Sequence, residues 1–422
     1  MFRRLQLLVL ATVLVVAAFS TGEPFLFYLV YLGILVVGGS YVLTRLGLSD
    51  LEAGYAVSQL NGHVGDRLQV TYTLRNTSRV PKFWLEIHNP TSLPGGLPGR
   101  ALSLGATSER SWRIRAPLIR RGHFRIEPLQ IRTGDPFGFF EASASVGQGV
   151  TLIVYPRLEP IPLWKLPASN LEGSHSSPER TLQTTPLATT VRPYAPGDSF
   201  NRIHWRTTAR TGEIQVKEFD LEQTADAWIV LDLERGIHTG RGDESSVEAA
   251  IRVAAAVADK AIAENRAVGM TVSGHRTVVL PADRGARQHL KIMQLLAAVE
   301  ADGTAPLVEV LIGSVGRLRR GMTAVVITPS TDPAWVKPVA TLRSRGVGCV
   351  AVTLDGPAFE QVAAAERARA DGAAGQSGLV ADDPATQLRA QRVRALRHTL
   401  AEYELPAFAV GPGRPLGEVL IS

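Results

Sequence analysis

Two apolar runs open the chain, Leu5 to Phe19 and Phe25 to Leu43, separated by Ser-Thr-Gly-Glu-Pro at positions 20–24. A helix rising about 1.5 Å per residue needs about 20 such residues to cross the hydrocarbon of a bilayer. The second run, 19 residues, reaches across; the first, 15 residues, does so with Arg3 and Arg4 snorkelling at one end. The pattern predicts a two-helix transmembrane hairpin over residues 1–45. A cleaved signal peptide, with its basic start and the small residues Ala17 and Ala18, is the competing reading of the first run. In the hairpin Arg3, Arg4 and Arg45 share one side with Glu23 opposite, which makes a multi-pass protein of the cell membrane with its soluble domains in the cytoplasm.

From Leu51 the period becomes two. Leu68, Val70, Tyr72 and Leu74 alternate with polar residues, and Phe83/Leu85/Ile87 and Trp112/Ile114/Ala116 repeat the pattern, with a Pro-Gly cluster at Pro94 to Gly99. Short alternating strands between turn signals predict an antiparallel β-sandwich over residues 51–155. Two turns stand out within it, Arg120-Arg121-Gly122 and Asp135-Pro136-Phe137-Gly138. In the second, aspartate bonds its own following backbone, proline presets φ and glycine accepts positive φ. The expected result is a tight corner with Phe137 and Phe140 in the core; a docking role is the alternative.

Residues 156–190 are rich in Pro, Ser and Thr without sustained period and read as a linker. Over 191–422 buried strands alternate with amphipathic helices, which specifies a doubly wound α/β domain with a mostly parallel sheet. Trp228 to Leu231, Val268 to Val272, Ala324 to Ile327 and Val347 to Leu354 are the expected strands. Helices are expected at Ser246 to Arg266, Leu290 to Val299, Val308 to Leu318 and, despite Pro338, at Ala334 to Arg345.

At the head of this region stands Arg192-Pro-Tyr-Ala-Pro-Gly-Asp-Ser-Phe-Asn-Arg-Ile-His-Trp-Arg-Thr-Thr-Ala-Arg210. Ser199 is positioned to cap a short helix on which Arg202, Arg206 and Arg210 recur every fourth residue, a cationic stripe flanked by Trp205. Guanidinium forks in a row call for carboxylates opposite. Those are supplied either internally, by Asp198, Glu213, Glu218 and Asp220, or by an acidic partner surface.

Ligands of an open parallel sheet collect at the carboxyl ends of its strands. Asp232 directly follows the first buried strand, and Thr328 and Asp332 follow a later one, so that Asp-Leu-Glu-Arg-Gly at 232–236 could meet Thr-Pro-Ser-Thr-Asp at 328–332. Two or three oxygen ligands there would suit Mg2+ or Mn2+; capping of the next helices is the plainer role for the same residues.

Composition narrows the chemistry. With 45% hydrophobic and 20% charged residues among 422, the chain has ample material for cores. Its single cysteine, Cys349, excludes a disulfide framework and cysteine-based metal clusters. The net charge of +6 comes from 39 arginines against 6 lysines spread along the chain, a diffuse excess that argues against a nucleic-acid partner. No lysine follows a glycine, so a P-loop is absent and the chain is not a Walker-type ATPase. As an enzyme it would depend on Cys349 as nucleophile with His204, His238 or His275 as base. Cys349 lies in Val-Gly-Cys-Val-Ala-Val, where a cysteine reads as a small buried hydrophobe.

On these residues the chain resembles the membrane-anchored bacterial family called "domain of unknown function 58", whose C-terminal part is similar to a von Willebrand factor A domain, itself a Rossmann-type α/β fold. The resemblance covers the hairpin, the Arg-Arg-Gly and Asp-Pro-Phe-Gly turns, and the segment from Tyr194 to Arg210. There Tyr194, Gly197, Asp198, Ile203, Trp205, Ala209 and Arg210 match, while Asn201 replaces the usual arginine beside Arg202. Von Willebrand-type metal sites use Asp-x-Ser-x-Ser; here Asp232 remains and Glu234 and Gly236 replace both serines. The resemblance implies a non-enzymatic scaffold or adaptor that acts with an AAA+ ATPase of MoxR type and with transglutaminase-like membrane proteins. It places the partner-binding residues at Arg192, Tyr194, Gly197, Asp198, Arg202, His204, Trp205, Arg206, Ala209 and Arg210. A degenerate metal site would comprise Asp232, Glu234, Thr328 and Asp332, with no cofactor or at most Mg2+. The alternatives are a metal-dependent adhesion protein facing outward and an enzyme.

Overall fold

The computed structural model describes residues 2–165, 190–195, 200–218, 226–370 and 384–421. The chain divides into two compact units, Met1–Leu158 with Met293–Val299, and Glu159–Ile292 with Glu300–Ser422.

The first unit begins with helices α1 (Phe2–Thr21) and α2 (Pro24–Leu48), which break at Gly22, a residue with φ +71°. Pro24 opens α2 where its missing N–H costs nothing. Among the described residues α2 is the one helix long and apolar enough to cross a membrane; α1 carries a shorter apolar stretch, Val9–Thr21. Ten strands follow: β1 (Leu51–Val57), β2 (Asn61–His63), β3 (Arg67–Asn76), β4 (Lys82–His88), β5 (Arg100–Leu104), β6 (Glu109–Pro117), β7 (Gly122–Ile126), β8 (Leu129–Gly134), β9 (Glu141–Val146) and β10 (Val150–Tyr155). They form sheets ordered β1-β3-β6, β2-β10-β7 and β5-β4-β8-β9. Pairing is antiparallel except between β2 and β10, which run parallel. Leu68, Val70, Tyr72 and Leu74 bury their alternate face in a core shared with Leu85, Ile87, Ile131 and Val154. Tyr72 is fully enclosed there, and its hydroxyl donates to Asn89 Oδ1 at 3.1 Å.

The second unit starts with a small module of β11 (Thr190–Pro193), α3 (Trp205–Thr211) and β12 (Gln215–Glu218). Its main body is β13 (Ala227–Asp232), α4 (Ser246–Ala263), β14 (Val268–Ser273), β15 (Thr277–Asp283), the first half of α5 (Gly285–Ala298, of which Met293 onward is counted with the first unit), α6 (Leu307–Ser314), β16 (Thr323–Thr328), α7 (Val336–Ser344), β17 (Gly348–Leu354), α8 (Gly356–Ala370), α9 (Pro384–Glu402), β18 (Ala407–Val410) and α10 (Leu416–Val419). Six strands make one sheet in the order β15-β14-β13-β16-β17-β18, parallel throughout except for β15. Every residue of β13, β14 and β16 is buried, as expected of continuous apolar runs in a sheet covered on both faces. Trp228, Val230, Ala324, Val326 and Cys349 share one face with residues of α6, α7 and α9. On α4, Ser245 caps the N-terminus by accepting from Glu248 N at 3.3 Å, and the alanine-rich face of the helix is buried.

Several boundaries differ from the periodicity reading. The helix expected at Leu290–Val299 starts earlier, at Gly285, and the one expected at Val308–Leu318 spans Leu307–Ser314. The helix expected at Ala334–Arg345 splits into a 3-10 turn, Pro333–Trp335, and α7, which puts Pro338 in the first turn of α7, where no intrahelical N–H bond is required of it. From the linker reading, Ile161 and Trp164 are buried in the second unit, and Glu159 pairs with Arg252 at 3.5 Å and accepts from Leu416 N at 3.1 Å.

Candidate functional site

Two places in the second unit carry the predicted site residues. The first is the carboxyl end of β13, between β14 and β16. Asp232 is fully buried; its Oδ2 accepts from the Thr328 hydroxyl at 2.6 Å and its Oδ1 from Glu234 N at 3.1 Å. Thr328 Oγ1 in turn accepts from Ser330 N at 2.9 Å. Burial raises the Asp232 carboxyl above its ordinary range, and the Thr328 and Glu234 bonds only partly oppose it. Glu234 is raised as well, by burial first and then by the negative charges of Asp232 and Asp332. Asp332 is committed to the backbone, its Oδ1 accepting from Ala334 N at 3.0 Å at the head of the 3-10 turn.

The structure thus brings Asp232, Glu234, Thr328 and Asp332 to one strand end, but as a closed network. Both Asp232 oxygens have protein donors and Asp332 Oδ1 is bonded to Ala334 N, whereas a divalent cation needs oxygens aimed at a common point. Among the described residues no three His, Cys, Asp or Glu side chains are placed to hold a metal ion. These residues do not fit Mg2+.

Residues not predicted for this site hold the loop, among them His238, which the sequence offered only as a candidate base. His238 accepts or donates at both nitrogens, with Nε2 3.0 Å from Asp232 O and Nδ1 3.1 Å from Ser246 Oγ. Ser246 Oγ also accepts from Thr239 N at 2.8 Å, and burial pushes the His238 imidazole down to about 4, so it is neutral. The carbonyl of Asp232 then accepts from Nε2–H, and Nδ1 accepts from the serine. Gly303 clamps the other side: its N–H donates to Leu233 O at 3.0 Å and its carbonyl accepts from Arg235 N at 2.8 Å. A Cβ on Gly303 would lie 2.5 Å from Ser273 O and 2.9 Å from Leu233 O, so only glycine fits.

Cys349 is buried, its thiol pushed up to about 12 by burial, and its contacts are the carbonyls of Val347 at 3.5 Å and Val339 at 3.7 Å. His275 is exposed, and its backbone N–H donates to Asp302 Oδ1 at 2.7 Å. His204 caps α3, its Nδ1 accepting from Thr207 N at 3.2 Å. None of the three histidines is hydrogen-bonded to the thiol.

The second place is the β11–β12 module. The two strands pair antiparallel from Thr190↔Glu218 to Pro193↔Gln215, and Ile203 bridges Val216, both of them buried. Phe200–Arg202 is a 3-10 turn and α3 starts only at Trp205, so Arg202 is not on the helix with Arg206 and Arg210. His204, with its N–H bonded to Gln215 O at 2.8 Å, marks the break. The three-residue stripe is therefore a pair, Arg206 and Arg210, one turn apart and exposed. Neither forms an ion pair among the described residues, and Glu213 pairs with neither. Gly197, Asp198, Ser199 and Asp220 lie outside the described residues. Arg192 Nη1 donates to Pro193 O at 3.2 Å, and Tyr194 stacks on Phe200 with ring centroids 6.1 Å apart. Phe200 and Trp205 are 69% and 68% exposed, and Ala209 is exposed beside them.

Residues 190–399 match the family described as Protein of unknown function DUF58. Uncharacterized protein YeaD of Bacillus subtilis is 25% identical over 316 residues, 71% of this chain and 76% of the relative. Both findings support assignment to that family. Uncharacterized protein Rv1480 of Mycobacterium tuberculosis is 28% identical over 161 residues, 36% of this chain; the chain spans about half the length of this relative, 50%. Among solved structures, the CARDB domain of a Pyrococcus furiosus protein aligns at TM-score 0.19 and 12% identity over 25% of this chain and 92% of that one. Sporulation control protein Spo0M of B. subtilis aligns at TM-score 0.17 and 8% identity over 25% and 50%.

Proposed function

We propose, with the DUF58 match as premise, that this chain is a non-enzymatic scaffold anchored in the cell membrane, with its soluble domains in the cytoplasm. In this reading its second unit is a von Willebrand factor A-like domain that grips protein partners through the β11–β12 module. The partner surface is acidic and carries an apolar patch, because Arg206 and Arg210 offer two guanidinium forks beside Phe200 and Trp205. An AAA+ ATPase of MoxR type is the partner that the family resemblance implies, with a transglutaminase-like membrane protein as a further member of the assembly.

The observation that carries this reading is the contrast in availability between the two places. At the strand end Asp232, His238 and Thr328 are spent on one another and on backbone. On α3 a tryptophan and two arginines stand in solvent. The full chain in lipid nanodiscs, mixed with the MoxR-type ATPase of its own genome, is expected to form a complex that weakens about tenfold from low to high salt. It is expected to hydrolyse neither ATP nor ester substrates alone. Turnover by the isolated chain, or no complex at any salt, would overturn the proposal.

A further inference from the structure

The Asp-Pro-Phe-Gly turn sits against α2 rather than in a closed corner. Helix α2 is exposed and apolar through Tyr28, Tyr31, Leu32, Ile34 and Leu35, and its buried residues begin only at Ser40, continuing with Thr44 and Gly47. Three contacts set the alignment. The Lys82 ammonium donates to Leu46 O in the last turn of the helix, where a cation is favoured. Gly47 lies so close to β8 that a Cβ there would be 2.7 Å from Thr133 Oγ1. The Phe140 ring meets Tyr41 edge-on at 5.6 Å. From Thr133 to Phe140 the chain therefore runs back along α2 from Gly47 to Tyr41, about 9 Å at the helical rise.

That direction fixes the level of the turn. The apolar run Phe25–Leu43 is about 28 Å long as a helix, the thickness of a hydrocarbon core, so Tyr41 marks its edge. In the same turn as Phe140, Phe137 is 57% exposed and stacked on Phe139 at 5.7 Å, and Phe83 and Trp84, which follow Lys82 at the Leu46–Gly47 end of α2, are exposed as well. Trp84 borders Gly134, and its carbonyl accepts from the Thr133 hydroxyl at 2.7 Å. The turn itself is held rigid, Asp135 accepting from Phe137 N at 3.0 Å and from Phe140 N at 2.6 Å. Arg45, exposed on the last turn of α2, is placed at headgroup height.

We infer that Phe137, with Phe139, Phe83 and Trp84, is an interfacial membrane anchor: the tip of the β8–β9 turn dips into the boundary between headgroups and acyl chains and holds the first unit against the bilayer. Exposed aromatics beside the end of a spanning helix are what that boundary selects. The inference rests on α2 crossing the membrane.

Spin-label accessibility tests it on the full chain in nanodiscs of mixed zwitterionic and anionic lipid, in a Cys349→Ala background. Labels go one at a time on Phe137→Cys, on Leu35→Cys within α2, and on Gln148→Cys, an exposed loop residue at the far end of β9. Phe137 is exposed, so its replacement leaves the core intact. The expected result is oxygen accessibility above that to a water-soluble nickel chelate at 137, a greater excess at 35, and the reverse at 148. A water-like label at 137 with a lipid-like label at 35 overturns the anchor alone. A water-like label at 35 overturns the membrane reading and the anchor with it.

Discussion

Asp135 and Asp232 are both buried aspartates just past or at the end of a strand, and their pKa values shift in opposite directions. Burial raises both carboxyls. Around Asp135 the backbone N–H groups of Phe140, Phe139 and Phe137 outweigh that and bring it below its ordinary value. Around Asp232 one hydroxyl and one N–H do not, and it stays raised. A tight turn gathers several amides on one carboxylate, whereas the end of a central parallel strand supplies few donors and much apolar wall. The first arrangement makes a rigid tip; the second makes a closed plug. In neither does a buried carboxylate by itself indicate chemistry.

The sharpest way to break the Asp232 side is through its glycine clamp. Gly303→Val is expected to cost about 3 kcal/mol, since its Cβ would collide with two backbone carbonyls, and thermal unfolding of the full chain would register it. An unchanged melting temperature would mean that the loop is not clamped.

The imidazole beneath the same loop gives a pH test. His238 has a folded value of about 4 against an ordinary 6.5, so the neutral form is the native one. Its contribution is complete above pH 6.5 and is lost as pH falls from there toward 4, about 3 kcal/mol in all. Stability measured across that window should fall in the wild type and fall less in His238→Gln. Equal slopes would contradict the assignment.

Isosteric amides then separate the two aspartates. Asp135→Asn loses charge-assisted bonds and turns an amide group toward N–H donors, a cost of about 2 kcal/mol. Asp232→Asn disturbs only one hydroxyl and one N–H bond at a carboxyl whose charged form is already disfavoured by burial, and should cost less, under about 1 kcal/mol. Chemical denaturation of the two variants decides it, and the reverse ranking would refute the comparison. The smallest effect concerns Cys349: the native chain should show no reaction with a thiol reagent until it unfolds, because the thiol is buried and its ionisation suppressed.

Much of this was legible in the sequence where one element decides the outcome. The α2 run and the buried strands announce themselves because their apolar positions are contiguous, and Asp135 is readable because turn chemistry is local. The gathering of Asp232, Thr328 and Asp332 follows from parallel strands ending at one edge. Other features depend on partners distant in the chain. Gly303 has no local signature, its requirement arising from the carbonyls of Leu233 and Ser273. His204 as a helix cap defeats the usual residue preferences, so the arginine spacing suggested a longer helix than forms. Phe137 faces outward because α2, and not the core, lies beside the turn.

We propose that this chain grips a partner through α3, with the strand-end carboxylate serving only as a structural plug. The most direct test is the affinity of the nanodisc-embedded chain for the proposed MoxR-type ATPase partner, compared between Arg206→Glu/Arg210→Glu and Asp232→Asn. The account predicts a loss of at least about tenfold for the arginine pair and no change for the aspartate. Retained affinity in the former with loss in the latter would contradict it.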